Sequence, residues 1–188
     1  MRVVAGTAGG LKLKTRDSEA TKPTLVRVKE AMFSMLTFET PGATVLDLFS
    51  GSGSLGIEAL SRGAESAVFC DKDKECTGII EENLRFTKLA DKATVMRGDF
   101  SDNLRILSEK GKKFTVVLLD PPYRQGLEQE AVKLIEKYRL FTENTTILTE
   151  HAFDDKMPDK IGIFEKIKEK KYGTVGVSLY KVSEERSK

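Results

Sequence analysis

One pattern narrows the possible folds more than any other. From residue 43 onward, short β-branched apolar runs take turns with longer stretches of helical spacing. Strands are expected at 44–49, 66–71, 93–97, 114–119 and 145–150, and helices at 51–61, 73–89, 102–109 and 127–138. Runs such as Val116-Val117-Leu118-Leu119 are apolar without alternation, so they need cover on both faces. Strand–helix–strand repetition supplies that cover and implies parallel pairing. The end of the chain breaks the rule. Residues 161–170 and 174–182 are both strand-like, with only Lys171-Tyr172-Gly173 between them. They predict an antiparallel hairpin at the edge of an otherwise parallel sheet, seven strands in all.

The first forty residues read differently. Arg2-Val3-Val4-Ala5 and Leu11-Lys12-Leu13-Lys14 flank a glycine-rich turn, which predicts a small β-hairpin. After Lys22-Pro23, Thr24 fits a helix N-cap, and Leu25, Val28, Met32, Met35 and Leu36 follow on one face. A helix over 25–38 is expected, stopped by Pro41-Gly42. The expected organisation is therefore a basic hairpin-and-helix unit over 1–40, an α/β domain over 41–183 and a disordered tail over 184–188. Charge follows that division. Residues 1–29 carry a net +5 and residues 156–188 a net +4, leaving −7 for the middle of a chain whose total is +2. A charge run can be an ordinary solvated face; two basic ends can also meet a polyanion. No apolar run approaches the ~20 residues of a membrane span. Two cysteines and a single histidine, His151, offer neither a disulfide framework nor a metal cluster. A reducing cytoplasm and no metal are the expectations.

The strand at 114–119 runs into Asp120-Pro121-Pro122-Tyr123. Two prolines cannot extend a ladder or open a helix, so the strand must end in a stiff extended loop. Open α/β sheets bind ligands beyond the carboxyl ends of their strands. There, a carboxylate, carbonyls without an accompanying N–H and an aromatic ring suit a planar base with an exocyclic amine. Asp120, Pro121, Pro122 and Tyr123 are accordingly the candidate catalytic residues.

Gly51-Ser52-Gly53-Ser54-Leu55-Gly56 satisfies G-x-G-x-x-G between a strand and a helix, and Asp71 ends the next strand. Glycines admit a ligand close to the backbone, and the acid can accept ribose hydroxyls. The motif alone fits a nicotinamide enzyme equally well. Asp47, just before the glycines, speaks against a pyrophosphate and for a cationic ligand. Asp99 with Phe100 adds an acceptor and a ring for an adenine. Three acids at successive strand ends around a glycine loop describe a nucleoside carrying positive charge, as S-adenosylmethionine does. The candidate cofactor residues are Asp47, Phe49, Gly51, Gly53, Asp71, Lys72, Asp99 and Phe100.

With those residues in place, the chain resembles the bacterial 16S rRNA guanine-N2 methyltransferases of the small ribosomal subunit. The resemblance runs from Arg2-Val3-Val4-Ala5-Gly6, through Lys22-Pro23-Thr24 and Arg27-Val28-Lys29-Glu30-Ala31-Met32-Phe33, to Val45-Leu46-Asp47-Leu48-Phe49-Ser50-Gly51-Ser52-Gly53. It continues in Glu58-Ala59-Leu60-Ser61-Arg62-Gly63-Ala64, Leu119-Asp120-Pro121-Pro122-Tyr123 and Lys171-Tyr172-Gly173. Lys22 stands where the family usually has Arg, Val26 where an acid or polar residue is common, and Asp71 where Glu is frequent. The resemblance implies a Rossmann-like class I fold and methyl transfer from S-adenosylmethionine, leaving S-adenosylhomocysteine. The implied acceptor is a guanine N2 in 16S rRNA, guanine 966, in an assembling or assembled 30S subunit. Arg2, Lys12, Lys14, Lys22, Thr24 and Arg27 are the candidate RNA contacts. Other acceptors share the Asp-Pro-Pro-Tyr logic, namely adenine N6 in DNA and protein glutamine, and a non-catalytic RNA-binding module is a further alternative.

Overall fold

The structure is a computed structural model describing residues 1–16 and 23–184, with the side chains of Pro23 and Thr24 outside the description. Lys22 and all but the first residue of the expected tail at 184–188 lie outside the described residues. Eight strands form one sheet: β1 (Thr44–Asp47), β2 (Ser66–Asp71), β3 (Ala93–Arg97), β4 (Phe114–Leu119), β5 (Phe141–Ala152), β6 (Lys160–Ile161), β7 (Phe164–Tyr172) and β8 (Val175–Val182). Their order is β3-β2-β1-β4-β5-β8-β7-β6. The first five pair in parallel, and β8, β7 and β6 are antiparallel. The expected Rossmann-like sheet with an antiparallel edge is present, with eight strands instead of seven. The additional strand, β6, is two residues long and exists through its pairing to β7, so no apolar run announces it.

Among the described residues, five α-helices accompany the sheet: α1 (Pro23–Met35), α2 (Ser54–Ser61), α3 (Lys74–Phe86), α4 (Phe100–Glu109) and α5 (Leu127–Lys137). Thr24 lies inside α1 and is not its N-cap, since a proline is well suited to the first helical position. The helix ends at Met35, three residues early, and a turn in which the Thr40 N–H reaches the Leu36 carbonyl at 3.0 Å completes the segment. Successive strand residues point to opposite faces, which splits the core in two. Val45, Phe69, Val116, Leu118 and Leu148 pack with Met32, Phe33, Ile57, Leu60 and Ile80 on one face. Leu46, Cys70, Val117, Leu119 and Ile147 pack with Leu104, Leu107, Val132 and Ile135 on the other. Gly56 permits close docking of α2 on β2, because a Cβ there would lie 2.3 Å from the Phe69 ring.

The expected N-terminal hairpin is reduced to an isolated bridge between Arg2 and Lys12. Bonds from Val3 N–H to the Leu11 carbonyl and from Leu13 N–H to the Met1 carbonyl, both 2.9 Å, hold its arms together. Val3, Ala8 and Leu13 are buried in the same core as α1 and α2. Among the described residues no helix is long and apolar enough to cross a membrane.

Candidate active site

The strand order reverses between β1 and β4, and at such a switch point the loops leaving the two strands diverge and open a crevice. A cavity of about 800 Å³ lies there. That is ample for a nucleoside cofactor beside a base. Its walls include Phe49, Gly51, Asp71, Lys72, Asp99 and Phe100 from the cofactor candidates, and all four of Asp120, Pro121, Pro122 and Tyr123. Two separate motifs of the sequence thus share one cavity.

At the cofactor end, Gly51 and Gly53 hold φ of 54° and 81°, backbone that a side chain would strain. Asp71 fixes this loop, accepting the Gly51 N–H through Oδ2 and the Asp73 N–H through Oδ1, both at 2.9 Å. Asp73 caps α3 and binds Arg16 at 2.9 Å, so the N-terminal segment is tied to the cavity mouth. Asp99 caps α4 and accepts the Ser101 hydroxyl at 2.6 Å and its N–H at 2.9 Å. Those bonds hold its carboxyl below the usual range. The Phe49 and Phe100 rings stand 5.2 Å apart, forming an apolar wall beside Asp99.

Asp47 and Gly53 do not line the cavity. The Asp47 carboxyl is fully buried and turns inward, taking the Gly56 N–H at 2.9 Å. Its Oδ1 finds no hydrogen-bond partner among the described residues. Burial pushes this carboxyl up to about 7, Asp71 adding to the rise while the Gly56 and Ser50 bonds oppose it.

At the other end, β4 and β5 run in parallel, with Leu119 beside Thr149. The Tyr123 hydroxyl donates to Glu150 Oε1 just past that pair, and both residues line the cavity. Burial and this bond push the Tyr123 hydroxyl up, so it remains a donor, and burial also raises the Glu150 carboxyl. The Tyr123 side is partly open, at 38 % exposure, as a stacking face must be.

Of the expected RNA contacts, Arg2, Lys12, Lys14 and Arg27 lie on the exposed surface and none lines the cavity. Lys14 pairs with Glu82 at 2.7 Å. Lys29, which the sequence pattern assigns no site role, is instead buried against the cavity. Its ammonium bonds Ser54 Oγ at 3.1 Å and Glu58 at 3.2 Å, and the Arg2 carbonyl. Burial draws Lys29 below the usual lysine range, with Glu58 pulling the other way.

A family model described as "Conserved hypothetical protein 95" matches residues 1–181. The chain belongs to this family. Two curated relatives are similar to it over nearly their full lengths. A putative rRNA methyltransferase, YlbH of Bacillus subtilis, is 36% identical, covering 96% of this chain and 98% of the relative. The ribosomal RNA small subunit methyltransferase D of Escherichia coli is 33% identical, covering 96% and 89%. The solved structure of the putative methyltransferase yhhF from Escherichia coli superimposes with a TM-score of 0.85 at 31% identity, covering 97% of this chain and 98% of that one. The family to which the chain belongs thus counts rRNA methyltransferases among the chain's relatives.

Two residues that line the cavity went unread in the sequence, Lys29 and Glu150, and so did Glu58, the buried partner of Lys29. Lys29 and Glu58 find each other from separate helices, 29 positions apart, which no local spacing reveals. Glu150 had a usable signal, since it comes directly after Thr149 in β5 as Asp120 comes directly after Leu119, its register partner at the end of β4.

Proposed function

We propose that this protein transfers a methyl group from S-adenosylmethionine to the exocyclic N2 of a guanine in 16S rRNA, by resemblance guanine 966. The observation that carries the reading is the meeting of the Asp120–Tyr123 loop and the glycine loop at Gly51, with Asp71 bound to it, in one cavity, in a family whose relatives are rRNA methyltransferases. The donor set fits the cofactor: Asp71 and Lys72 for the ribose end, Asp99 with Phe49 and Phe100 for the adenine. S-adenosylmethionine supplies an electrophilic methyl group on a sulfonium sulfur.

Everything else falls to the chain. Guanine N2 is a weak nucleophile because its lone pair is delocalised into the ring. The Asp120 carboxylate and the Pro121 carbonyl each accept one N2–H and draw the nitrogen toward a tetrahedral shape. Tyr123 stacks on the base and fixes its plane, while Pro122 stiffens the loop. Alignment of two bound reactants contributes roughly 7–11 kcal/mol. Negative groups placed where the amine becomes cationic add a few more. The methylated ammonium is acidic and gives its proton to water, which restores the neutral amine. Entry of the base costs about a few kcal/mol of unstacking. Residues 1–40 form the RNA-facing unit and 41–183 the methyltransferase unit, acting on 16S rRNA within a 30S particle.

The test is methyl transfer from labelled S-adenosylmethionine to 30S subunits, naked 16S rRNA and duplex DNA, followed by nucleoside analysis. N2-methylguanosine in the ribosomal RNA is the expected product. Label in N6-methyladenine or in protein would move the acceptor. Asp120→Ala is expected to bind the cofactor and lose transfer by at least a hundredfold; full activity in that variant would refute the mechanism.

A further inference from the structure

Asp120, just past the end of β4, and Glu150, within β5, each follow one member of a register pair. Leu119 and Thr149 are register partners on neighbouring parallel strands, which run about 5 Å apart, and Asp120 and Glu150 are the residues that come directly after them. Both line the cavity. Glu150 is 93% buried, at 7% exposure, yet one of its oxygens is committed only to the Tyr123 hydroxyl. A carboxylate offers about four acceptor sites, so one such bond leaves most of its capacity for a ligand.

We infer that Glu150 is the specificity-determining residue of the base pocket, its carboxylate accepting the N1–H of the target guanine. The inference rests on the function proposed above. A guanine that presents N2–H to Asp120 and Pro121 presents N1–H next to it on the same edge. Adenine and cytosine carry an amino group too, but beside it stands a bare ring nitrogen with a lone pair. A carboxylate facing that position attracts guanine and repels the other two, because a buried acceptor opposite an acceptor leaves both unpaired. The bond to Tyr123 couples the two tasks. The ring that sets the plane of the base is fastened to the group that reads its edge.

The discriminating base is 2-aminopurine, which keeps the exocyclic amine and has a bare N1. Small-subunit RNA is assembled by ligation with guanine or 2-aminopurine at the nucleotide that the wild-type protein methylates, and kcat/KM is measured for both. Wild type is expected to prefer guanine by thirtyfold or more. Glu150→Gln keeps an acceptor for Tyr123 and offers an amide N–H to the bare N1, so its preference should fall at least tenfold. A simple loss of structure would lower both rates together and leave the ratio alone. Should E150Q turn over too slowly, equilibrium binding of the same two RNAs reads the same ratio. A ratio unchanged from wild type overturns the role of Glu150 while the proposed function stands. Absence of N2-methylguanosine with wild type overturns both.

Discussion

Asp47 shows how far one residue can depart from its place in a motif. The sequence puts it at the end of a strand, before the glycines, where a ligand-facing carboxylate is a reasonable expectation. Which way the side chain turns depends on the Gly56 amide, nine residues later, which claims Oδ2. That partner belongs to a helix start that local pattern locates only approximately. The consequence is titratable. The folded-state value of about 7 lies above the ordinary 3.8, so the folded protein holds this proton more tightly than the unfolded chain. This group's contribution is therefore most favourable below about pH 4, is lost as pH rises to about 7, and is flat beyond, a change of a few kcal/mol. Asp47→Asn retains an acceptor for Gly56 and removes the charge. It is expected to gain about 1–3 kcal/mol over wild type at pH 8 and to show a flatter stability profile between pH 4 and 7. Urea titrations at pH 5 and pH 8 measure both. Parallel profiles for the two proteins would mean that Asp47 is not the titrating group.

Among the elements, the buried strands were the legible part. β2 and β4 have the same limits in the structure as in the sequence reading, because an apolar run long enough to need cover on both faces defines itself; β3 has its expected limits too, as a partly exposed edge strand. β5 begins at Phe141, four residues early, since its extension is mostly polar and owes its conformation to pairing of Phe141 with Phe114. Helix–sheet spacing was legible only as a glycine motif. Gly56 satisfies the third position of that motif, and its role here is contact: the missing Cβ is the space that the Phe69 ring occupies. Two effects compete in Gly56→Ala. Alanine favours a helix interior over glycine by about 1 kcal/mol. Overpacking at a 2.3 Å approach costs about 1–3 kcal/mol and more if the ring cannot shift. Phe69 is fully buried between α2 and the sheet, so the steric cost should win. The melting temperature of Gly56→Ala is expected to fall by several degrees; a rise would show that α2 can lift without penalty.

For the whole molecule, the basic amino-terminal segment is the part whose charge was visible and whose anchoring was not. Val3 and Leu13 enter the main core, and Glu58, fully buried, accepts the N–H groups of Val4 and Ala5 at 2.8 and 3.0 Å. Arg62 and Lys29 complete the partners of that carboxylate at 2.8 and 3.2 Å. The segment is thereby held against α2, and its outward side chains Arg2, Lys12, Lys14 and Arg27 stand on a fixed surface. Deleting it to test RNA binding would open the core, so neutralising the charges is the cleaner experiment. If Lys12, Lys14 and Arg27 meet phosphates, each contact releases condensed counterions, and the slope of log affinity against log salt loses about 0.7–0.9 per contact. Lys12→Gln, Lys14→Gln and Arg27→Gln combined should then flatten the slope for small-subunit RNA by about 2. Cofactor affinity should be unchanged, because none of the three lines the cavity. Lys14 gives the weakest contribution of the three, since Glu82 already partners it on the surface. An unaltered slope with intact methyl transfer would put the RNA on another basic face. Lys168, Lys170 and Lys171 on the exposed strand β7 would then be the residues to neutralise next.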